Sequence, residues 1–201
     1  MMTWQQSEKR QRLIGATIQL VLRQGFAATT VEDICAKAEV TKGSFFHYFK
    51  SKDEIGFAAM DAWSFGWVGI LESAKFNEIS DPLDRVKHLF EVMEAAYLSE
   101  GVDPGCVVGT IAQERSLSNE PLRVACEKHL EDWVKGTTGL LCDAKAMHAP
   151  TANFDPTELA WWLCTFVQGT MLIIKTQSDR NLVKSNIRHC RTYVLSFFPT
   201  A

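Results

Sequence analysis

Two helix-start signals only twelve residues apart constrain the fold of this chain more than any other feature. Thr29 and Thr30 both offer a hydroxyl that can cap a helix, and an acidic residue, Glu32 or Asp33, follows three positions after one or the other. The next apolar residues recur at the spacing of one helical face, and they are Val31, Ile34, Cys35 and Ala38. This pattern predicts a short helix that ends at Ala38.

A second short helix follows after a brief interruption. The segment 38–40 breaks the apolar pattern, and Thr41 is placed to cap a helix that begins at Lys42. The stretch 42–49, KGSFFHYF, carries hydrogen-bond donors and aromatic rings but too few aliphatic residues for a buried helix. A helix that lies in the major groove of DNA needs such a mixed surface. The pair of helices is therefore typical of a helix-turn-helix DNA-binding segment.

The first 55 residues resemble the DNA-binding domain of the TetR family of transcriptional regulators. The matching residues are Gly25-Phe26, 30–38 and the string 41–52, TKGSFFHYFKSK, whose fixed order is the most specific signal. The resemblance implies a DNA-binding surface of base-contacting and phosphate-contacting residues, with Phe46 among them. The implied base contacts are Lys42, Gly43, Ser44 and His47, and the implied phosphate contacts are Thr30, Tyr48 and Lys52. Phe45 and Phe49 are instead expected in the core.

Two residues depart from the pattern of that family. Many members have glycine in the turn where this chain has Glu39, so a left-handed backbone there would carry strain. Many also have tyrosine where Phe46 stands, and the phenylalanine lacks a hydroxyl that could reach a phosphate.

The charge is unevenly distributed along the chain. The formal net charge is −3, but residues 1–55 hold eight Lys/Arg against six Asp/Glu, and the rest hold 13 against 18. A basic amino-terminal segment on an acidic body is the layout expected of a DNA-binding protein whose body has another task. Because the basic excess is only two, affinity has to come from placed contacts and from dimerisation.

Several other classes of protein are disfavoured. The first twelve residues lack the apolar stretch of a secretory signal, and the longest apolar run, 161–174, is shorter than the roughly 20 residues that span a membrane. Six cysteines without a CxxC pair favour a reducing cytoplasm, and five histidines without ligand spacing predict no metal site and no cofactor. Motifs for nucleotide binding or for hydrolysis are absent, which argues against an enzyme.

The periodicity along the rest of the chain predicts an all-α fold of about nine helices. Residues 1–51 are predicted to form the DNA-binding domain and residues 52–201 an effector-binding and dimerisation domain. Asp-Pro or Glu-Pro steps at 81–82, 120–121 and 155–156 mark helix starts in that body. The predicted helices cover about residues 7–24, 31–38, 42–49, 52–76, 82–100, 106–117, 120–142, 156–174 and 181–198, with a loop at 144–154.

The last two predicted helices carry an apolar face wider than one helix pair can hide. We interpret this face as a homodimer interface built as a four-helix bundle, where a glycine lets two backbones approach. The alternative is that these residues form the core of a single protomer. The residues assigned to the interface are Trp162, Phe166, Gly169, Ile173, Ile187, Val194 and Phe197.

Large adaptable residues in the body predict an apolar effector pocket. Tryptophan and methionine often line such cavities, although the same residues also fill ordinary cores. The pocket residues assigned on this basis are Trp63, Trp67, Met93, Trp133, Trp161 and Met171.

Cys106 is the strongest single candidate for a reactive residue. It follows Pro104-Gly105 at a predicted helix start, where unpaired amides and the helix dipole favour a thiolate. The stretch from Pro104 to Glu114 also resembles TetR-type repressors that sense electrophiles or oxidants, which carry a lysine matching Lys175. We therefore add Cys106 and Lys175 to the predicted pocket, the alternative being that Cys106 is an apolar filler.

The sequence thus predicts a cytoplasmic regulator that binds double-stranded DNA as a homodimer and responds to a small molecule. A repressor released by its effector is the first hypothesis. A transcriptional activator, or a regulator that needs no ligand, is the alternative, and an enzyme is the least favoured.

Overall fold

The computed structural model describes residues 4–99, 103–177, 179 and 181–199, with side chains from residue 8 onward. These residues form an all-α fold of nine α-helices, as the sequence predicted, with one 3-10 turn at Phe76–Glu78 and no strand in the described ranges. The helices are α1 (Trp4–Gln24), α2 (Val31–Ala38), α3 (Lys42–Tyr48), α4 (Lys52–Ser73), α5 (Pro82–Leu98), α6 (Val107–Arg115), α7 (Glu120–His148), α8 (Pro156–Gln177) and α9 (Asn181–Leu195).

The largest error in the predicted bounds concerns α7, which continues to His148 instead of ending near residue 142. Contacts beyond the helix hold its last turns. Lys145 Nζ donates a hydrogen bond to the carbonyl of Phe154 at 2.6 Å, and His148 Nε2 lies 2.7 Å from Asp81 Oδ2. The loop that was predicted at 144–154 therefore begins only after His148. The contact between His148 and Asp81 joins residues far apart in sequence, so local patterns did not reveal it.

The caps of the short amino-terminal helices follow the sequence signals. Thr30, not Thr29, is the N-cap of α2, and it forms a capping box with Asp33 in which Asp33 N donates to Thr30 Oγ1 at 3.1 Å. Thr29 is buried and donates to the carbonyl of Gly25 at 2.6 Å. Gly25 has a φ of 88°, as expected of a glycine that ends α1.

The chain divides into two compact units. The first contains the residues up to Gly66 and Gly105–His129, and the second contains Trp67–Pro104 and the residues from Leu130 onward. The first unit thus consists of α1, α2 and α3 together with the start of α4, all of α6 and the start of α7. The predicted boundary between residues 51 and 52 stays a prediction.

Each unit has its own hydrophobic core. In the first, Leu13 of α1, Ile34 of α2, Phe45 of α3 and Ile55 of α4 are fully buried in one cluster. The core of the second unit is formed by buried residues of α5, α7, α8 and α9, among them Phe90, Leu141, Leu163, Ile174 and Val183.

Helix α8 is long and apolar enough to cross a membrane by length and composition alone. However, 44% of its most apolar window is buried inside the protein, and residues on its inner side belong to the core of the second unit. Core helices of soluble proteins commonly meet the same criterion, so the length and composition of α8 do not by themselves indicate a membrane span.

Candidate nucleic-acid interface

The first turn of α3 lies outside the core of the first unit. Thr41 caps it, since Thr41 Oγ1 accepts a hydrogen bond from Ser44 N at 3.2 Å. Lys42 and Gly43 are exposed, and Ser44 is half-buried. A Cβ atom built on Gly43 would meet only Thr41 Oγ1, at 3.8 Å. The backbone at Gly43 is therefore open to close approach by a partner.

The opposite side of α3 anchors it in the protein. Phe45 and Phe49 are buried, with ring centroids 5.8 Å apart, which confirms their predicted place in the core. Phe46 and His47 are exposed, and the His47 ring lies 4.8 Å from that of half-buried Tyr48. The helix thus presents donors and one uncovered aromatic ring outward while two phenylalanines face inward.

Lys42 is paired with an acidic residue of α2. Its ammonium contacts the Glu32 carboxylate, and both side chains are more than half exposed. The hydrogen bond from Lys42 lowers the pKa of Glu32 below its usual range. Exposed pairs of this kind contribute little to stability, so Lys42 can leave Glu32 for a base edge at small cost.

Thr30 lies on the same exposed side, but its hydroxyl is already used in the capping box. Thr30 Oγ1 donates to Asp33 Oδ2 at 2.7 Å and accepts from Asp33 N. Of the hydroxyl's two lone pairs, one is left for a further donor, and the backbone N–H of Thr30 is taken by Asp33 Oδ2 at 2.9 Å. A phosphate contact by Thr30 therefore competes with the cap that begins α2.

Lys52 has a structural role that the sequence did not predict. Its Nζ lies 3.0 Å from the carbonyl oxygens of Phe26 and Thr29 and 3.3 Å from that of Ala27, and it lies over the Phe26 ring. Burial lowers the pKa of Lys52, and the nearby charge of Arg115 lowers it further. The phosphate contact predicted for Lys52 is not supported in this conformation, because the carbonyls of the turn after α1 occupy its three donors.

Glu114 of α6 contacts the same turn, and Asn119 contacts the start of α4; sequence reasoning missed both residues. Glu114 Oε2 accepts a hydrogen bond from Ala27 N at 2.7 Å, and a Cβ atom on Gly25 would collide with the Glu114 carboxylate. At the end of the next loop, Asn119 Nδ2 donates to Asp53 Oδ2 at 2.7 Å. No local motif marks Glu114 or Asn119, because their partners lie 87 and 66 residues away in sequence.

The residues predicted to line an effector pocket do not form one group. In the second unit, Met93 and Met171 are buried, and Trp67 and Trp133 pack partly buried against the same core. Trp161 is 44% exposed and does not line the cleft described below, so its assignment to a pocket stays a prediction. The remaining members are Trp63 and Cys106, which are partly buried in the first unit, and Lys175, which is exposed at the end of α8.

A small apolar cleft in the second unit is lined by two of the residues predicted for the effector pocket, Met93 and Met171. It lies between α5, α8 and α9, is partly open to solvent and is too small to hold an effector in this conformation. Its lining is mostly apolar, with Tyr97 and Thr170 the two lining residues that carry a hydroxyl. The lining residues are Phe90, Met93, Tyr97, Phe166, Val167, Thr170, Met171, Ile187 and Cys190.

Cys106 is the N-cap of α6, as its place in the sequence predicted. Its Sγ accepts a hydrogen bond from Gly109 N at 3.4 Å, and the side chain is partly exposed. Burial raises the pKa of two other thiols, Cys126 to about 11 and Cys190 to about 12. All six cysteines are free, and Cys142 is the exposed one on α7.

The predicted dimer residues divide between a surface and a core. Trp162, Gly169 and Ile173 lie on the outer face of α8, and a Cβ atom on Gly169 would meet nothing within 4 Å. Ile187 and Val194 are instead buried within the protomer, at 5% and 0% exposure, so placing them at an interface was wrong. Phe166 and Phe197 are partly buried beside the same core.

The outer face of α8 includes further apolar residues that the sequence did not single out. Leu172 is 47% exposed, and Tyr193 of α9, also 47% exposed, lies with its ring 4.6 Å from that of Trp162.

Among the described residues, no group of three or more His, Cys, Asp or Glu side chains is arranged to hold a metal ion.

Two short helices joined by a tight turn, the second with its first turn exposed, are typical of a helix-turn-helix transcriptional regulator. Comparison with known sequences agrees with this class. Residues 13–59 match the family described as bacterial regulatory proteins, tetR family, and residues 82–190 match the tetracyclin repressor-like C-terminal domain. The chain belongs to the TetR family, whose members regulate transcription and are not enzymes.

Relatives are similar over most of their length. The chain is 31% identical to the transcriptional regulator AcuR of Cereibacter sphaeroides over 155 residues, which cover 76% of this chain and 71% of AcuR. It is 24% identical over 191 residues to the transcriptional repressor NemR of Escherichia coli, covering 93% and 94% of the two chains. The crystal structure of a regulatory protein TetR from Rhodobacter sphaeroides superimposes with a TM-score of 0.81 at 28% identity, covering 91% of this chain and 97% of that one.

Proposed function

We propose that this protein is a cytoplasmic repressor that binds a palindromic operator as a homodimer and is released by a small-molecule or electrophilic effector. The observation that carries the proposal is the outward first turn of α3, where Lys42 and Gly43 are exposed beside half-buried Ser44 on a capped helix. Lysine can bind guanine O6 and N7, and glycine lets the backbone approach the groove. NemR is named a transcriptional repressor, which supports the direction of regulation.

A palindromic site requires two copies of α3 related by a two-fold axis. The outer face of α8, with Trp162, Gly169 and Ile173, supports a homodimer because it is apolar and exposed on the protomer. In such a dimer the two α3 helices would enter successive major grooves, with half-sites about 34–36 Å apart.

Footprinting of the DNA that flanks the gene for this protein tests the proposal. We expect a protected palindrome, and a Lys42→Ala, His47→Ala double variant should lose about 100-fold or more in affinity for it, since each good base contact contributes about 1–3 kcal/mol. Lys184→Ala, which removes an exposed charge from α9, is the control and should bind like the wild type. Unchanged binding by the double variant would exclude α3 as the reading helix.

The turn after α1 supports a route by which an effector releases DNA. Lys52 at the start of α4 and Glu114 near the end of α6 both bind this turn, directly before α2. An effector that favours another position of either helix would therefore shift the DNA-binding helices as well. Each tenfold loss of operator affinity requires only about 1.4 kcal/mol of coupling.

Cys106 is the proposed site of electrophilic effectors. Its partly exposed Sγ at the start of α6 is more accessible than the buried thiols of Cys126 and Cys190. An alkylating electrophile such as N-ethylmaleimide should lower operator affinity in the wild type but not in Cys106→Ser. Cys142→Ser, which removes the exposed thiol of α7, should respond like the wild type. Equal losses in all three proteins would exclude Cys106 as the sensor.

A further inference from the structure

The turn between α2 and α3 contains a residue in the left-handed conformation that is not glycine. Glu39 has φ 53° and ψ 48°. It ends α2 in a Schellman arrangement, in which Glu39 N donates to the carbonyl of Ala36 at 3.2 Å and Val40 N donates to that of Cys35 at 3.0 Å. Glycine takes this position most easily, since any side chain adds steric strain. Something else in the protein must therefore hold the turn.

Arg12 of α1 supplies that hold. Its Nη2 contacts the carbonyl oxygen of Ala38 and lies 3.2 Å from the carbonyl oxygen of Glu39. The same nitrogen lies 3.3 Å from Glu39 Oε2 and forms an ion pair with that carboxylate. One guanidinium group thus binds the carbonyl oxygens of Ala38 and Glu39 and the side chain of the strained residue.

The turn at 38–40 lies directly before α3, so its backbone sets the direction in which that helix begins. The helix has seven residues, of which Phe45 is the buried one, and it begins at Lys42, three positions after Glu39. Because α3 is short and only Phe45 within it is buried, we expect a change in the backbone at 38–40 to tilt its first turn. That first turn carries the residues proposed to read bases, and base contacts tolerate little displacement.

We propose that Arg12 is a positioning residue for DNA recognition, which fixes the left-handed Glu39 and thereby sets the angle at which α3 is presented. Arg12 and Glu39 act together in place of the glycine that would otherwise form this turn. The inference rests on the proposed function, because it concerns the fit of α3 to an operator. It differs from a direct phosphate contact by Arg12, which would strengthen binding to any DNA sequence.

The test compares Arg12→Ala, Glu39→Gly and the double variant with the wild type. Arg23→Ala is the matched control, because it removes an exposed arginine from the last turn of the same helix. Fluorescence anisotropy is measured on the footprinted duplex and on a scrambled duplex of equal length, over a range of salt concentrations. Thermal denaturation is followed for every variant.

We expect Arg12→Ala to weaken operator binding about tenfold and to change binding of scrambled DNA by less than about twofold, since only specific contacts depend on the angle of α3. Glu39→Gly should bind like the wild type. The double variant should recover to within about threefold of wild-type affinity, because glycine adopts the left-handed turn unaided. This recovery also keeps the test valid if Arg12→Ala alone is poorly folded.

Three results would overturn the inference. The first is unchanged operator binding by Arg12→Ala. The second is an equal loss on both duplexes with a salt slope smaller by about one, which indicates a phosphate contact. The third is a double variant no better than Arg12→Ala. If the wild type binds neither duplex, the proposed function fails instead.

Discussion

Helices α3 and α8 each bury one side, but they expose opposite kinds of surface. Helix α3 is seven residues long and exposes Lys42 and His47. Helix α8 is 22 residues long and exposes Trp162, Leu172 and Ile173. A polar, donor-rich surface suits a hydrated and negatively charged partner, whereas an apolar surface of this length suits another apolar helix. We expect this difference to separate the surface proposed to read DNA from the surface proposed to pair protomers.

Substitution of two adjacent phenylalanines tests the two sides of α3, and the largest effect is expected here. Phe45→Ala should lower the free energy of unfolding by about 3–5 kcal/mol, because the ring is fully buried in the first unit. Phe46→Ala, at a residue 55% exposed, should change it by less than about 0.5 kcal/mol. Chemical denaturation measures both, and similar losses would show that α3 does not have the two sides described.

Two isoleucines of the second unit, one buried and one exposed, allow the same comparison of core and surface for α8 and α9. Ile187→Ala should destabilise the protomer by about 2–5 kcal/mol, since the side chain is 5% exposed within the core. Ile173→Ala should leave protomer stability nearly unchanged and weaken dimerisation by about tenfold, because its side chain is 46% exposed on α8. Analytical ultracentrifugation and denaturation separate the two effects. A dimer unaffected by Ile173→Ala would place the interface elsewhere.

Gly43→Ala tests the exposed side of α3 alone, because it should weaken DNA binding without lowering the stability of the fold. The structure has room for the methyl group, and alanine favours helix over glycine by about 1 kcal/mol, so the melting temperature should stay equal or rise. Operator affinity should nevertheless fall about tenfold, since a methyl group at that point separates the backbone from the groove. Wild-type affinity in this variant would mean that DNA does not approach Gly43.

The smallest expected effect concerns a polar contact in the second unit. His88 Nδ1 lies 3.1 Å from Glu91 Oε2 and Nε2 lies 3.0 Å from the carbonyl oxygen of Ala74, so both nitrogens donate only when the ring is protonated. The hydrogen bond to Glu91, and then that to Ala74, raise the pKa of His88 above its ordinary value.

A raised pKa means that the stabilisation is fully present below about pH 6.5 and is lost as the pH rises through the folded-state value. The stability difference between wild type and His88→Gln should therefore be largest near pH 6 and shrink toward pH 8. Denaturation at a series of pH values measures it, and a constant difference would show that protonation of His88 does not contribute.

The amino-terminal helices could be predicted in detail because their signals are local. Thr30 and Thr41 each bind a backbone amide three residues ahead, so their place in the sequence determines where α2 and α3 begin. In α8 and α9, apolar residues recur on more than one side of each helix. Ile173 and Ile187 therefore could not be told apart until the packing of the helices was known.

Contacts between distant segments were beyond prediction for a related reason. Lys52 carries a charge and lies in the string that resembles a DNA-binding motif, yet its ammonium is held by carbonyls 23 to 26 residues earlier. Nothing in the composition near Arg12 or Glu114 indicates which backbone groups they bind. Such long side chains reach partners that only the tertiary arrangement provides.

The close approach of the Glu114 carboxylate to Gly25 makes the residues tolerated at these two positions depend on each other. Any larger residue at 25 would meet the carboxylate and would also have to adopt a φ of 88°. A substitution at 25 would therefore displace the Glu114 carboxylate from Ala27 N and force a side chain into the left-handed region, whereas a substitution at 114 removes only that hydrogen bond. Position 25 is thus expected to tolerate fewer substitutions than position 114.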